Sequence, residues 1–276
     1  KEDLKKLGYE INFYNHISKN FLKCDLIFIN SRFFTDNFFT RLKKKVNLHS
    51  KINLVENISH IYKHNKNIIW FDLSDSAGNT QFEILPYVKK YVKKQLYKDV
   101  KMYKKKFFRN RYYSDYYRNK FDIEPYIEPN FHILDDKFQE KLILGWNIGV
   151  GNYFDSLNYK THHKYKCILE AVFKSNYKEL YKYTLDYYCN KDRSNNIFSS
   201  FNLRSENKKL AIHYQRNQVN KILSNKHNIT SDNRVNHNDF LLNLKNSKIS
   251  VGSFGWGEIC YREFEATKMG TAIIFP

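Results

Sequence analysis

The chain has 276 residues and a formal net charge of +19, and 42% of its residues are hydrophobic and 17% aromatic. This hydrophobic content supports a sizeable buried core, so the composition excludes an intrinsically disordered chain. The sequence contains no apolar run of the roughly 18 residues that a membrane-spanning helix needs. Its four cysteines lack metal-ligand spacing, which indicates free thiols in a reducing compartment.

The positive charge is spread along the chain in lysines and is not concentrated in arginine-rich stripes. Asparagine, isoleucine, tyrosine and phenylalanine are abundant as well, a joint excess that an AT-rich coding sequence produces. We therefore interpret the charge mainly as compositional bias on a solvated surface. The alternative is a non-enzymatic basic protein that binds nucleic acid or an anionic membrane, and such a protein has no use for acids beside a glycine loop.

In the first half of the sequence, apolar runs alternate with helical patterns, which is typical of a layered α/β domain with a parallel sheet. Apolar residues recur at every fourth position from Ile84 to Leu96, which predicts one long helix with Pro86 in its first turn. In chain order, the predicted elements are a helix ended by Gly8, buried strands at 24–34 and 67–79 with a basic helix at 35–48 between them, and the long helix at 84–107.

The segment 109–136 is rich in aromatic residues and is predicted to be loop-like. Within this region, residues 107–118 either stack bases or sugars or form the amphipathic end of a helix. The elements predicted beyond it are a strand with a glycine-rich turn at 141–153, helices across 160–189, a strand at 195–207, helices at 209–225 and 238–246, a strand at 247–254, a helix at 258–269 and a strand at 271–275.

A boundary near residues 185–195 is predicted to divide the chain into an N-terminal domain, 1–190, and a C-terminal domain, 191–276. The final run, GTAIIFP, is typical of a strand that follows a helix, and no further element completes the second domain. We therefore expect a fragment that is truncated at both ends, with an incomplete C-terminal domain.

The most informative motif follows the predicted strand at 247–254, where Gly252, Gly255 and Gly257 precede a helix. In an open parallel sheet, ligands bind beyond the carboxyl ends of the strands. Glycines let the backbone approach a ligand, and free N–H groups at a helix N-terminus bind phosphate. The motif therefore predicts a phosphate-binding loop.

Three charged residues follow this loop at spacings of four and three: Glu258, Arg262 and Glu265. At these spacings they share one face of the predicted helix. A carboxylate can accept hydrogen bonds from two sugar hydroxyls, and Arg262 can bind phosphate or hold Glu265 in place. In the alternative interpretation, Glu258 caps the helix and Arg262 bridges both acids on a solvated face.

The order of strand, glycine loop, Glu258, two helical turns, Glu265-Ala266, Gly270 and strand resembles the donor-binding segment of retaining GT-B fold glycosyltransferases. Trp256 and the run CYREFEA are similar to bacterial surface-polysaccharide transferases and exostosin-like enzymes. The resemblance implies that Glu265 binds the ribose of a nucleotide sugar. It also implies that Glu258 binds hydroxyls of the transferred sugar at the catalytic centre, and that the loop lies by the diphosphate.

The resemblance implies two Rossmann-like parallel-sheet domains that face a cleft, the GT-B fold. The implied activity is that of a hexosyltransferase-like enzyme, which moves a sugar from a nucleotide sugar to a glycan or lipid-linked acceptor in surface-polysaccharide synthesis. No metal or other cofactor is expected, and nucleic acid is not an expected partner. The implied location is the cytoplasm, either free or in peripheral contact with the anionic inner face of the membrane.

By the same resemblance, Arg204 occupies the position of a diphosphate-binding residue after the first donor-domain strand, unless it is simply an exposed arginine. In the N-terminal half, Asp72, Ser74 and Asp75 follow a buried strand and would face the cleft. There Asp72 and Ser74 would bind the acceptor, and Asp75 would take its proton as a catalytic base. The alternative is local turn chemistry, in which Asp75 or Ser76 satisfies backbone N–H groups or caps a helix.

Overall fold

The computed structural model describes residues 2–34, 53–123, 133–145, 192–203, 210–229, 231 and 235–275. The chain divides into two compact units, Lys1–Lys106 with Asn130–Gly145, and Phe107–Pro129 with Trp146–Pro276. Each unit is built on a parallel sheet with helices, of four strands in the first unit and three in the second. Among the described residues, no helix is long and apolar enough to cross a membrane.

Among its described residues, the first unit contains three α-helices, four strands and three short 3-10 helices. Its α-helices and strands are α1 (Glu2–Lys6), α2 (Lys19–Leu22), β1 (Ile27–Asn30), α3 (Leu54–His64), β2 (Ile68–Asp72), β3 (Lys90–Lys93) and β4 (Leu142–Leu144), and its 3-10 helices are Phe82–Tyr87, Val100–Lys104 and Asp136–Lys141. The strands lie in the order β1-β2-β3-β4, and all pairs are parallel.

The second unit contains four α-helices, three strands and one 3-10 turn among its described residues. They are the 3-10 turn Phe108–Asn110, α4 (Tyr112–Phe121), β5 (Asn195–Phe198), α5 (Ala211–His227), α6 (His237–Lys245), β6 (Ser247–Val251), α7 (Tyr261–Lys268) and β7 (Ala272–Ile274). The strands lie in the order β5-β6-β7, again parallel throughout.

The core of the first unit lies against one face of its sheet. Strand β1 alternates between buried and exposed residues, and its buried Ile29 pairs in register with Trp70 of β2. Ile58 and Ile61 of α3 are fully buried in the same cluster. Burial of each such side chain contributes about 1.5–3 kcal/mol, so this apolar cluster fixes the strands whose carboxyl ends carry the predicted polar residues.

The predicted helix at 84–107 is wrong. Residues 82–87 form a 3-10 helix that contains Pro86, and the chain then enters β3, which pairs with β2. A spacing of four is an even number, so it fits the two-residue period of a strand as well as one turn of a helix. Tyr91 and Val92 are buried in β3, where aromatic and β-branched side chains pack well.

The aromatic segment contains α4, so the loop prediction is wrong for residues 112–121, and the helical alternative given for residues 107–118 is confirmed from Tyr112 onward. Tyr113, Tyr117 and Phe121 recur every four residues and form one ridge of the helix. Tyr117 and Phe121 contact the ring of Tyr214 on α5, with ring centroids 6.1 and 4.9 Å apart. The helix ends at Asp122, which adopts the left-handed conformation with φ of 48°.

The other predicted elements fall into two groups. The structure confirms strands within 24–34, 67–79, 195–207, 247–254 and 271–275, the first strand of 141–153, and helices within 209–225 and 238–246. The predicted helices at 35–48 and 160–189, the turn after residue 145, most of the boundary at 185–195 and Arg204 lie outside the described residues.

Arg193 fastens the second sheet at the amino ends of its strands. Its guanidinium donates hydrogen bonds to the carbonyl oxygens of Met269 and Gly270, both at 2.8 Å, and to Thr271 Oγ1 at 3.0 Å. It also donates to the carbonyl oxygen of Ser247. These contacts neutralise the C-terminal end of α7 and leave the carboxyl edge of the sheet as the side where the glycine loop emerges.

Candidate functional site

The glycine loop, residues 252–257, leaves the second sheet at the carboxyl end of β6. The Gly252 N–H donates to the carbonyl oxygen of Ile274 at 2.8 Å, so the loop begins beside the end of β7. Ser199, just after β5, donates its hydroxyl to the carbonyl oxygen of Val251 at 2.9 Å. The ends of all three strands therefore meet at the edge where parallel sheets bind ligands.

Four consecutive carbonyl oxygens of the glycine loop each accept a hydrogen bond from a side chain of a flanking element. The pairs are Arg262 Nη2 to Ser253 at 2.6 Å, Arg216 Nε and Nη2 to Phe254 at 3.2 and 3.0 Å, Tyr113 Oη to Gly255 at 3.1 Å and Arg111 Nε to Trp256 at 3.1 Å. Three of the four donors are arginines, so the loop carbonyls lie in a strongly positive environment.

Three consecutive N–H groups of the same loop have no hydrogen-bond acceptor among the described residues. Phe254 N–H donates to Gln215 Oε1 at 3.1 Å. The N–H groups of Gly255, Trp256 and Gly257 have no acceptor among the residues that the structure describes. Successive backbone N–H groups in an irregular turn form a concave site for anions. The loop is thus held by its carbonyls and offers its N–H groups as donors.

Gly255 is required by its neighbour Cys260, which lies against the loop. A Cβ atom at position 255 would overlap the Sγ atom of Cys260, whereas a Cβ atom at Gly252 would meet Phe275 at an ordinary 3.5 Å. Burial and the charge of Glu263 raise the pKa of the Cys260 thiol, so it stays neutral and packs against the carbonyl oxygen of Gly257. Of these two predicted loop glycines, the packing demands only Gly255.

We expect Gly255→Ala to lower the free energy of unfolding by about 1–3 kcal/mol, because the new methyl group overpacks the Cys260 site. Adding Cys260→Ala should restore most of that loss by removing the overlapping sulfur. Gly252→Ala is the control, and we expect it to change stability by about 0.5 kcal/mol or less. Urea unfolding of these three variants and of the original chain measures this, and equal losses for both glycines would contradict the packing argument.

Helix α7 begins at Tyr261, not at Glu258 as the sequence predicted. Cys260 is its N-cap residue, and the Cys260 N–H donates to Glu263 Oε2 at 2.5 Å in a capping box. Glu258 therefore lies in the loop and does not share a helix face with Glu265. Because Glu263 already places a negative charge at the first turn of α7, the helix N-terminus is a poorer anion site than the loop N–H groups.

Glu265 lies in a different environment from the one that the spacing predicted. Its side chain is 9% exposed, and Oε1 lies 2.8 Å from Nε2 of His237, the first residue of α6. Arg262, by contrast, contacts the carbonyl oxygen of Ser253. The structure thus brings Arg262 to the glycine loop and gives Glu265 a histidine partner, which no feature of the sequence had indicated.

In the first unit, Asp72 is the centre of a buried polar network. Tyr91 Oη donates to Asp72 Oδ2 at 2.5 Å, and Lys93 Nζ donates to the same oxygen at 3.0 Å. Ser74 N–H donates to Oδ1 at 2.8 Å, and Ser74 Oγ contacts that oxygen too. The side chains of Asp72 and Lys93 are both 0% exposed, so this ion pair is sealed from solvent.

The remaining donors and acceptors around this network are also used. Lys93 donates to Ser74 Oγ at 2.8 Å and to the carbonyl oxygen of Asn79 at 3.0 Å. Burial and the nearby charge of Asp72 raise the pKa of Tyr91 well above its ordinary value, so Tyr91 remains a neutral donor. The network organises the turn after β2, and Asp72 has no exposed surface with which to bind an acceptor.

Asp75 is the exposed member of the three predicted acceptor-side residues. Its side chain is 59% exposed and pairs with Lys94 Nζ at 2.9 Å. Ser76 Oγ accepts a bond from Gly78 N–H at 3.3 Å, which matches the local turn chemistry given as the alternative. Asp75 is therefore the most accessible of the three to a solute, Ser74 is half-buried and Asp72 is sealed.

Sequence reasoning missed most of the residues that hold the glycine loop. Arg111 and Tyr113 lie in the aromatic segment, more than 140 positions before their loop partners, as the separations of 145 and 142 show. Arg216, on α5, donates to the loops after β5 and β6. The aromatic spacing of α4 was the available signal, because it predicts a helix with one packed face.

Comparisons with protein-family models, with curated proteins and with solved structures found no match for this chain. The described residues also contain no group of three or more histidine, cysteine, aspartate or glutamate side chains placed to hold a metal ion. Any assignment of function therefore rests on the glycine loop and its surroundings.

Proposed function

We propose that this chain is a glycosyltransferase of the GT-B type, which binds a nucleotide sugar and transfers the sugar to a glycan or lipid-linked acceptor. The observation that carries the proposal is the glycine loop, whose carbonyls are held by three arginines and whose N–H groups from Gly255 to Gly257 have no acceptor among the described residues. A diphosphate presents the oxyanions that such a loop binds.

In the proposed reaction, the bond between the anomeric carbon and the diphosphate breaks as a bond to the acceptor hydroxyl forms. The negative charge that develops on the departing diphosphate is stabilised by the loop N–H groups, which are already oriented before the substrate arrives. Glu258, which lies in the loop segment, would hold hydroxyls of the transferred sugar. Asp75, exposed beside Lys94 in the first unit, is proposed separately as the base of that unit's acceptor site.

The pairing of Glu265 with His237 changes the role proposed for Glu265. A carboxylate that is 9% exposed and bound to an imidazole has one oxygen left for a ligand at most. We propose that Glu265 and the more exposed His237 together meet the ribose hydroxyls, with the carboxylate also fixing the orientation of the ring.

The test is a thermal-unfolding titration of the purified chain with UDP, GDP and CDP. A ligand that binds only the folded state raises the unfolding temperature with the logarithm of its concentration. We expect one nucleoside diphosphate to stabilise the chain, and the matching nucleotide sugar to release diphosphate when an acceptor is supplied. Glu265→Gln should weaken the stabilisation, whereas Glu56→Gln, on an exposed part of α3, should leave it unchanged.

The second candidate, a basic protein that binds a polyanion, is supported by the net charge of +19. The same titration therefore includes a short oligonucleotide at two salt concentrations. Stabilisation by the oligonucleotide alone, lost at the higher salt concentration, would contradict the transferase proposal and favour this candidate.

A further inference from the structure

Arg111 and Trp256 form a contact within the second unit that the sequence did not predict. The Arg111 Nε–H donates to the Trp256 carbonyl oxygen at 3.1 Å, and the guanidinium carbon lies 5.3 Å from the centre of the indole ring. Stacking of a guanidinium on an indole is a favourable cation–π contact. The Arg111 side chain is thus held by both the backbone carbonyl oxygen and the indole ring of Trp256.

The fixed guanidinium still has donors to offer. Only Nε of Arg111 is used, and neither Nη atom has a hydrogen-bond or ion-pair partner among the described residues. Two parallel N–H groups of an arginine match the geometry of a carboxylate or phosphate. Because Nε is tied to the carbonyl oxygen of Trp256, the guanidinium lies at the glycine loop, where Gly255 and Gly257 precede and follow that residue in the chain.

The indole offers a complementary surface. Trp256 is 52% exposed, although indole is among the side chains that gain most from burial. The nearby acid Glu263 is occupied by the Cys260 N–H in the capping box. Within the part of the second unit that the structure describes, the region therefore combines a guanidinium without an acid partner, three loop N–H groups without an acceptor and an exposed ring.

We infer that Arg111 and Trp256 form a ligand site for a ring that carries an oxyanion, with the oxyanion on the Arg111 Nη groups and the ring against the Trp256 indole. This inference rests on the proposed function and names a part of its donor site. The adjacent loop N–H groups favour a phosphoryl oxyanion, so the nucleoside diphosphate is the expected source. An acidic sugar has the same chemistry and is the other source to test.

The experiment is calorimetric titration of the full chain with four kinds of probe at one low salt concentration. The probes are inorganic pyrophosphate, the nucleoside diphosphates UDP, GDP and CDP, their free nucleosides, and glucuronic acid. Arg111→Gln should weaken binding of pyrophosphate and of the preferred nucleoside diphosphate by about 10- to 100-fold. Trp256→Leu should weaken only the nucleoside diphosphate, towards the affinity of pyrophosphate.

Arg109→Gln is the matched control, because it removes the same charge from an exposed arginine two positions earlier in the chain. We expect it to change the affinities by no more than about twofold, since exposed charges outside the contact itself contribute little. Thermal unfolding of each variant checks that the fold is intact. We expect an intact fold, because neither Arg111 nor Trp256 lies in the buried core.

The outcomes separate this inference from the proposed function. Pyrophosphate binding that Arg111→Gln leaves unchanged, or that Arg109→Gln weakens equally, overturns the inference. A nucleoside diphosphate that binds both Arg111→Gln and the original chain equally well overturns it while the transferase proposal stands. Binding of glucuronic acid that depends on Arg111, without nucleotide binding, supports the site but removes the nucleotide-sugar proposal. Failure of every probe to bind overturns both.

Discussion

Lys93→Met is expected to lower the free energy of unfolding by about 3–5 kcal/mol, because it leaves a buried carboxylate without its cation. Asp72 and Lys93 are 3.0 Å apart and have no exposed side-chain surface. Removing Lys93 also takes away its hydrogen bonds to the Ser74 hydroxyl and to the Asn79 carbonyl oxygen, which then keeps the Ser74 hydroxyl as its donor. The loss should be visible as a lower midpoint in urea, with unfolding followed by tryptophan fluorescence and circular dichroism.

Two further variants decide whether the loss comes from the unpaired charge. The double variant Asp72→Asn with Lys93→Met removes both charges, so it should be less destabilised than the sum of the two single variants. Lys104→Met breaks the exposed pair with Asp136, whose side chains are 49% and 70% exposed, and should cost about 0–1 kcal/mol. If Lys93→Met and Lys104→Met unfold at the same urea concentration, the buried pair contributes nothing and the argument fails.

Arg216→Met is expected to have the largest effect on the glycine loop. The Arg216 guanidinium donates to the carbonyl oxygen of Phe254 through Nε and Nη2, and to that of Asn202 through Nη1 at 3.0 Å. It therefore ties the loop after β6 to the segment after β5. Losing these charge-assisted bonds should lower the free energy of unfolding by about 2–3 kcal/mol.

The same change should weaken binding of the preferred nucleoside diphosphate, because a loop whose carbonyls are released no longer holds its N–H groups in place. Arg216→Lys should recover little, since one ammonium group cannot reach two separate loops with the planar geometry of a guanidinium. Lys221→Met, exposed on the same helix, is the control for charge. Identical stability and identical affinity in Arg216→Met and Lys221→Met would show that Arg216 does not anchor the loop.

Replacing Arg216 and replacing Arg111 should have different effects on stability and on ligand affinity. The N–H groups of Arg216 donate hydrogen bonds to backbone carbonyl oxygens. Its replacement should therefore lower both the free energy of unfolding and the affinity for the nucleoside diphosphate. Arg111 makes one hydrogen bond to the loop, and its Nη groups have no partner among the described residues, so its replacement should lower affinity and lower the unfolding temperature less than the replacement of Arg216. Measuring both quantities for both variants distinguishes a residue that positions the loop from one that touches the ligand.

Several elements followed directly from the sequence because their signals are local. The apolar run before Asp72 could pack only as a buried strand, and the helix that ends at His227 shows a regular apolar pattern. The order of strand, glycine loop and helix at 247–269 was predicted as well. These elements depend on residues within a few positions of one another, and hydrophobic periodicity reports such neighbours well.

Other local signals were ambiguous. The spacing of four between Ile84 and Leu96 fits both a helix and a strand, and pairing of β3 with β2 decided between them. The sequence predicted that α7 begins at Glu258. In the structure, Glu263 accepts the hydrogen bond from the Cys260 N–H, and the helix begins after Cys260. A difference of three residues in that start removed the shared helix face on which the prediction for Glu258 and Glu265 depended.

The sequence by itself therefore determined an α/β chain with parallel strands and a glycine loop before a short helix. The tertiary structure decided which side chains surround that loop, because Arg111 and Tyr113 lie 145 and 142 positions away from the residues they hold. It also decided that Asp72 is internal, since only the arrival of Tyr91 and Lys93 from the neighbouring strand encloses its carboxylate. Hydrogen bonds between such distant residues depend on the packing of whole elements, and no periodicity in a single sequence records them.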